Sequence, residues 1–124
     1  MIFGLINLSY QHYKHGGKLN LEQKNSQIAS RILFEDSRIR IWEMILEPGQ
    51  DSGRHHHSND YVVVLVEGDK VGITEHIKTD GSIGTYREAD ITIGTAISLK
   101  KGGTETAFNP GSKRYRDIEI ELLC

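Results

Sequence analysis

GRHHHSNDYVVVLVEG, residues Gly53 to Gly68, sets three consecutive histidines directly before a run of valines. Three readings are open: a purification tag, a His-rich polar loop, or half of a metal site. The tag reading fails on position, because the cluster is central and flanked by strand-forming sequence. Alternate residues of an extended chain point to the same side. An extended segment therefore puts His55 and His57 on one face and turns His56 away. Two imidazoles at adjacent same-side positions can grip one divalent ion. Imidazole suits zinc, copper, iron and nickel, provided each ring keeps a nitrogen free. Two histidines do not make a stable site alone, so further ligands must come from a neighbouring strand. Taken alone, His-x-His is equally the pattern of an exposed polar turn.

Outward from this stretch, short β-rich runs alternate with turn signals. Ile28 to Phe34 ends at EDS, Ile39 to Leu46 at EPGQDSG, Tyr61 to Val66 at EGDK, and Val71 to Ile77 at KTDGS. Ile83 to Ala89 leads into DITIGTAISL and KKGG; Glu105 to Phe108 ends at NPGSKR; Tyr115 to Leu123 comes last. Within IRIWEMIL, Ile39, Ile41 and Glu43 alternate with Trp42 and Met44. In the last run Ile118, Ile120 and Leu122 alternate with Asp117, Glu119 and Glu121, the period of a strand with one wet face. Many short strands divided by Gly, Asp and Asn turns predict an all-β sandwich or barrel. Leu19 to Ala29 is too poorly spaced for more than a turn. Residues 1–27 carry Tyr10, His12, Tyr13, His15 and GGK without clear periodicity. They read either as an arm packed on the barrel or a second subunit, or as a loosely ordered terminus.

The 124 residues suit one compact domain. With 37% hydrophobic and 26% charged residues the composition is that of a globular chain, not a disordered one. A net charge of −2 argues against nucleic acid as partner. Cys124 is the single cysteine, so no intrachain disulfide forms, which suits a reducing compartment. No signal peptide and no membrane-length apolar run is read, so the expectation is a cytoplasmic protein without membrane partner. There is no phosphate loop, nucleophile elbow or CxxC.

The spacing around the histidines resembles that of the cupins. Cupin motif one is Gly, five residues, His-x-His, three or four residues, Glu, six residues, Gly. Here Gly49, QDSGR, His55 and His57 are followed three residues later by Tyr61, where the glutamate would stand, then VVVLVE and Gly68. Motif two is Gly, five residues, Pro-x-Gly, two residues, His, three residues, Asn. Here Gly94, TAISL, Lys100 for the proline, Gly102, Glu105 for the histidine, and Asn109 keep every interval. The resemblance, to a small single-domain RmlC-like cupin with degenerate metal motifs, implies a single antiparallel jelly-roll β-barrel over residues 28–124. It also implies a homodimer, for which the arm, especially IFGLINL, is the candidate for strand exchange.

The usual cupin ligand set is three histidines and a glutamate. By position this chain offers His55, His57, Tyr61 and Glu105. The preferred metal set is His55, His57 and Glu105, with Tyr61 in the pocket and Asp60 as a reserve ligand, should the SND turn rotate it inward. Two histidines and a carboxylate suit iron(II), and His₂Glu is also a zinc set. Iron, manganese, zinc and nickel all stay open. Tyr61 and Glu105 are the candidate catalytic groups; Arg54, Tyr61 and Asn109 are the candidate substrate binders. His56 and His76 are expected at the surface.

Two function classes follow. One is a metal-dependent enzyme of dioxygenase, isomerase, epimerase or decarboxylase type acting on a small polar metabolite. The other is a non-catalytic sensor or storage protein binding a small ligand, with or without metal.

Overall fold

The computed structural model describes residues 26–124. The arm expected over residues 1–27, including IFGLINL, lies almost wholly outside them. The described chain forms β1 (Arg31–Glu35), β2 (Ile39–Leu46), β3 (His55–His56), β4 (Tyr61–Glu67), β5 (Lys70–Ile77), β6 (Tyr86–Asp90), β7 (Ala96–Leu99), β8 (Thr104–Phe108) and β9 (Tyr115–Leu122). No helix occurs among the described residues, hence none long and apolar enough to cross a membrane. A five-stranded sheet runs β1-β2-β9-β4-β7 and a four-stranded sheet runs β3-β8-β5-β6. All pairings are antiparallel. Except for β1–β2 and β5–β6, each connection carries the chain from one sheet to the other. This is a jelly roll, the architecture the cupin resemblance implies, within the all-β class the strand spacing predicts.

Period-two patterning places the core. Trp42, Met44 and Leu46 of β2 and Tyr61, Val63 and Leu65 of β4 are buried, with Ala107 and Tyr115 beside them. Burying each side chain of leucine size contributes about 1.5–3 kcal/mol. The four glycines that the two motifs mark, Gly49, Gly68, Gly94 and Gly102, all have positive φ. At Gly68 (φ +126°) a Cβ would also stand 3.2 Å from Tyr115 Cα. The motif intervals are therefore distances between tight turns that L side chains resist. DITIGTAISL is not one strand: only Ala96–Leu99 pairs, and Gly94 N donates to Leu65 O within the preceding turn.

The alternation in β9 holds, but its sides are the reverse of a wet outer face. Asp117, Glu119 and Glu121 are 3%, 5% and 3% exposed, whereas Leu122 is 41% exposed. The register causes this. Tyr115 lies opposite Leu46, Asp117 opposite Met44 and Leu65, and Glu119 opposite Trp42 and Val63. Directly opposed residues share a face, and a slip of one residue would invert the strand. Locked between two core strands, β9 turns its acids into the barrel.

Candidate metal centre

His55 on β3 pairs with Glu105 on β8, which sets imidazole and carboxylate side by side on the inner face. His57 follows β3 and is clamped to the β7–β8 turn: its N donates to Gly103 O (2.9 Å) and its O accepts from Gly102 N (2.8 Å). Nε2 of His55 and Nε2 of His57 each lie 3.5 Å from the same oxygen, Glu105 Oε2. Ligands around a tetrahedral ion with bonds of ~2.1 Å stand roughly 3.4 Å apart, so the spacing fits one divalent ion. Among the described residues this is the one group of three or more His, Cys, Asp or Glu side chains that converges so. His55 and His57 are 1% and 2% exposed.

The surroundings prepare the donors. His55 Nδ1 lies 3.1 Å from Gly53 O and 3.3 Å from Ser52 Oγ. A carbonyl only accepts, so its bond assigns a proton to Nδ1, the nitrogen on the far side of the ring from Glu105. Neither ring nitrogen of His57 bonds a protein atom. Burial holds His57 below the usual histidine range, outweighing the pull of Glu105, so the ring is neutral at neutral pH. Burial alone would push Glu105 up, but the two imidazoles outweigh it and hold the carboxyl down at about 2. Neutral imidazoles and an ionised carboxylate are the protonation states that bind metal. Tyr61 stacks on His57, centroids 3.8 Å apart and planes 6° off parallel. Burial raises its pKa far above the phenol value, so it holds its proton and orients the ring rather than serving as a ready acid.

The other predicted residues are placed elsewhere. Asp60 Oδ1 accepts from Lys101 N (2.9 Å), and Asp60 is not in the converging group. That backbone bond fixes the SND turn with its carboxylate on the β7–β8 turn. Asn109 is fully buried, bonds Leu46 O and Lys113 O, and does not line the cavity. Arg54 is half-buried and outside the cavity lining; its charge acts on His76. His56 is exposed and bonds Thr104 Oγ1, and His76 is half-buried, bonded to Thr106 Oγ1.

A cavity of about 500 Å³ lies between the sheets, within the range of small-molecule sites. Glu105 and Tyr61 line it. So do Tyr115, Asp117 and Glu119, which sequence reasoning missed as site residues. The signal was parity: Tyr115 shares the odd-numbered side with the acids. Tyr115 Oη donates to Asp117 Oδ2. Burial pushes Asp117 up to about 6 although that bond pulls it down. Burial and the neighbouring Asp117 hold Glu119 well above the carboxylate range.

A stability effect follows. A carboxyl whose folded pKa is raised favours its protonated form in the fold, so its ionisation costs stability as pH climbs from the unfolded value through the folded one. Asp117→Asn keeps an acceptor for Tyr115 and removes that charge. The variant is expected to match wild type near pH 4 and to exceed it by about 2 kcal/mol at pH 7. Urea unfolding at both pH values measures this; an equal difference at the two would refute it.

No protein-family model matches the chain, and no curated protein does. Among solved structures, a cupin domain from Bordetella pertussis Tohama I superposes with a TM-score of 0.63 at 24% identity, over 73% of this chain and 88% of that one. An RmlC-like cupin family protein with a double-stranded β-helix fold, from Methanocaldococcus jannaschii, gives 0.59 at 11% identity over 74% and 76%. The polyketide cyclase RemF from Streptomyces resistomycificus gives 0.53 at 13% over 72% and 57%. Together with the jelly-roll topology and the paired motif intervals, these likenesses establish that the chain has the cupin fold.

Proposed function

We propose that the protein is a metal-dependent cupin in which His55, His57 and Glu105 hold one divalent ion at the wall of a cavity that receives a small molecule. The convergence of two imidazole nitrogens on one carboxylate oxygen, each at 3.5 Å, carries this reading. A bound ion supplies Lewis acidity to an oxygen of the ligand. The chain's own residues do the rest. Gly53 O and Ser52 hold the His55 tautomer, Tyr61 fixes the plane of His57, and apolar side chains such as Val63, Leu65 and Ile73 line part of the cavity.

Three protein ligands favour catalysis over a structural ion, because structural sites are closed by four ligands while catalytic sites keep a position open. Iron(II), manganese, zinc and nickel all accept a two-His, one-carboxylate set. The likeness to a polyketide cyclase, at 13% identity, carries the fold and not the reaction.

The test is elemental analysis of protein purified without a histidine tag and exposed in turn to Mn, Fe(II), Ni and Zn. One ion per chain is expected, and Glu105→Ala is expected to lose it. Wild type without stoichiometric metal would reduce the protein to the binding-module reading. Retention by Glu105→Ala would remove the third ligand.

A further inference from the structure

The two sheets give the cavity two different walls. The four-stranded sheet brings Glu105, which His55 and His57 face from behind the cavity lining, to one wall; the five-stranded sheet brings Tyr115, Asp117 and Glu119 to the other. The other acids turned inward or buried have cationic or N–H partners. Glu43 pairs with Arg31 and Arg116. Glu121 accepts from Trp42 Nε1, Asn59 and Arg40. Burial would raise Glu121, and those bonds hold it below the carboxylate range. Glu75 faces Arg87, and Glu105 has its imidazoles.

Asp117 and Glu119 differ. Tyr115 donates to Asp117, and the two carboxyls lie close enough to act on each other's charge. Among the described residues no lysine or arginine forms an ion pair with either. Asp117 Oδ1 and Glu119 Oε1, both deeply buried, bond no protein atom, and both residues line the cavity. Leaving such oxygens dry and unpaired is costly, and burying a negative charge without a partner costs more. A barrel that keeps two such groups on its inner wall has a place for a donor that arrives with the ligand. An ammonium group fits: it carries a positive charge and three N–H donors. The surrounding wall is apolar, from Met44, Val63, Leu65, Val71, Ile73 and Ile91.

We propose that Asp117 and Glu119 form an ammonium-binding end of the cavity, and that the cavity takes a primary amine borne on an apolar body. This names the ligand class of the cavity proposed above and rests on its being a ligand site, but not on the metal. Lys78, Arg87 and Lys100 also line the cavity, but they are exposed to solvent. Water screens charges there, whereas the inner wall acts at low dielectric, so the acids govern the sign of the ligand.

Calorimetry with three probes of one shape tests this: phenethylamine, phenethyl alcohol and hydrocinnamate. Wild type is titrated both after chelator treatment and after zinc loading, with metal content measured in parallel. The amine is expected to bind at least about tenfold tighter than the alcohol in both states, and hydrocinnamate least. The double variant Asp117→Asn, Glu119→Gln is expected to lose the preference while still binding the alcohol, which reports an intact cavity. The proposal falls if alcohol or hydrocinnamate binds as tightly as the amine. It also falls if none of the three binds, if the preference appears only with zinc, or if the double variant keeps it. Should that variant not fold, the order of the probes on wild type decides. A preserved amine preference in protein that takes up no metal would overturn the metal reading alone.

Discussion

His57→Ala is expected to lower affinity for zinc or manganese by at least ~100-fold while the chain stays folded, whereas His56→Ala binds as wild type. Losing even an outer hydrogen bond to a metal ligand costs about 10–100-fold, and here a ligand itself is removed. His55 and Glu105 remain, but two donors do not hold an ion against water and buffer. Both His57 nitrogens lack protein partners, so truncation leaves few protein groups orphaned. Its structural cost is the lost stack on Tyr61 and a small cavity, about 1–3 kcal/mol. Metal affinity comes from competition with a chromophoric chelator, and folding from thermal melts. His56, one residue earlier, is exposed and turned to Thr104, so the contrast between neighbours reads the alternation directly. Equal losses in the two variants would show that the histidines act as an undirected cluster.

What the sequence made legible is what depends on period and turn spacing. β2 runs Ile39–Leu46 as the alternation of IRIWEMIL predicts, and the burial of Trp42 and Met44 follows from it. The pairing of His55 with His57 follows from the same rule. Glu105 could be named only because two sets of glycine turns, fixed by positive φ, keep the motif intervals while the residue types between them change. The sides of β9 were marked only by the parity of Tyr115 with the acids, a signal that composition outweighs. An acidic row facing inward contradicts composition, and only pairing with Met44, Trp42, Val63 and Leu65 decides it. Nor could the SND turn be resolved from local sequence, since the group that holds Asp60 is Lys101 N, on a segment forty-one positions away. Partner choice across such distances depends on register, which residue types alone do not state.

Asn109→Ala is expected to destabilise the fold by about 3–4 kcal/mol and to leave the metal affinity of the folded protein unchanged. The side chain is fully buried and saturated. Nδ2 donates to Leu46 O and Lys113 O, each at 2.8 Å, and Oδ1 accepts from Gly111 N at 2.9 Å. Truncation leaves two carbonyls and an amide without their partner, and each such buried group costs about 1 kcal/mol or more. Asn109→Asp keeps the acceptor for Gly111 N but turns a carboxylate on two carbonyl oxygens. It is expected to be the worse variant at neutral pH and to recover as pH falls and the acid is protonated. Urea unfolding at pH 7 measures both; a loss below about 1 kcal/mol for Asn109→Ala would refute the assignment. The backbone extends the argument. Asn109 O accepts from Gly49 N at 2.8 Å, so the last residue of the second motif closes on the first residue of the first. That bond ties the turn after β2 to the end of β8, the strand that carries Glu105. At this end the spacing shared with cupins describes a clasp that sets the barrel's register, and the chemistry belongs to the residues the clasp holds in place.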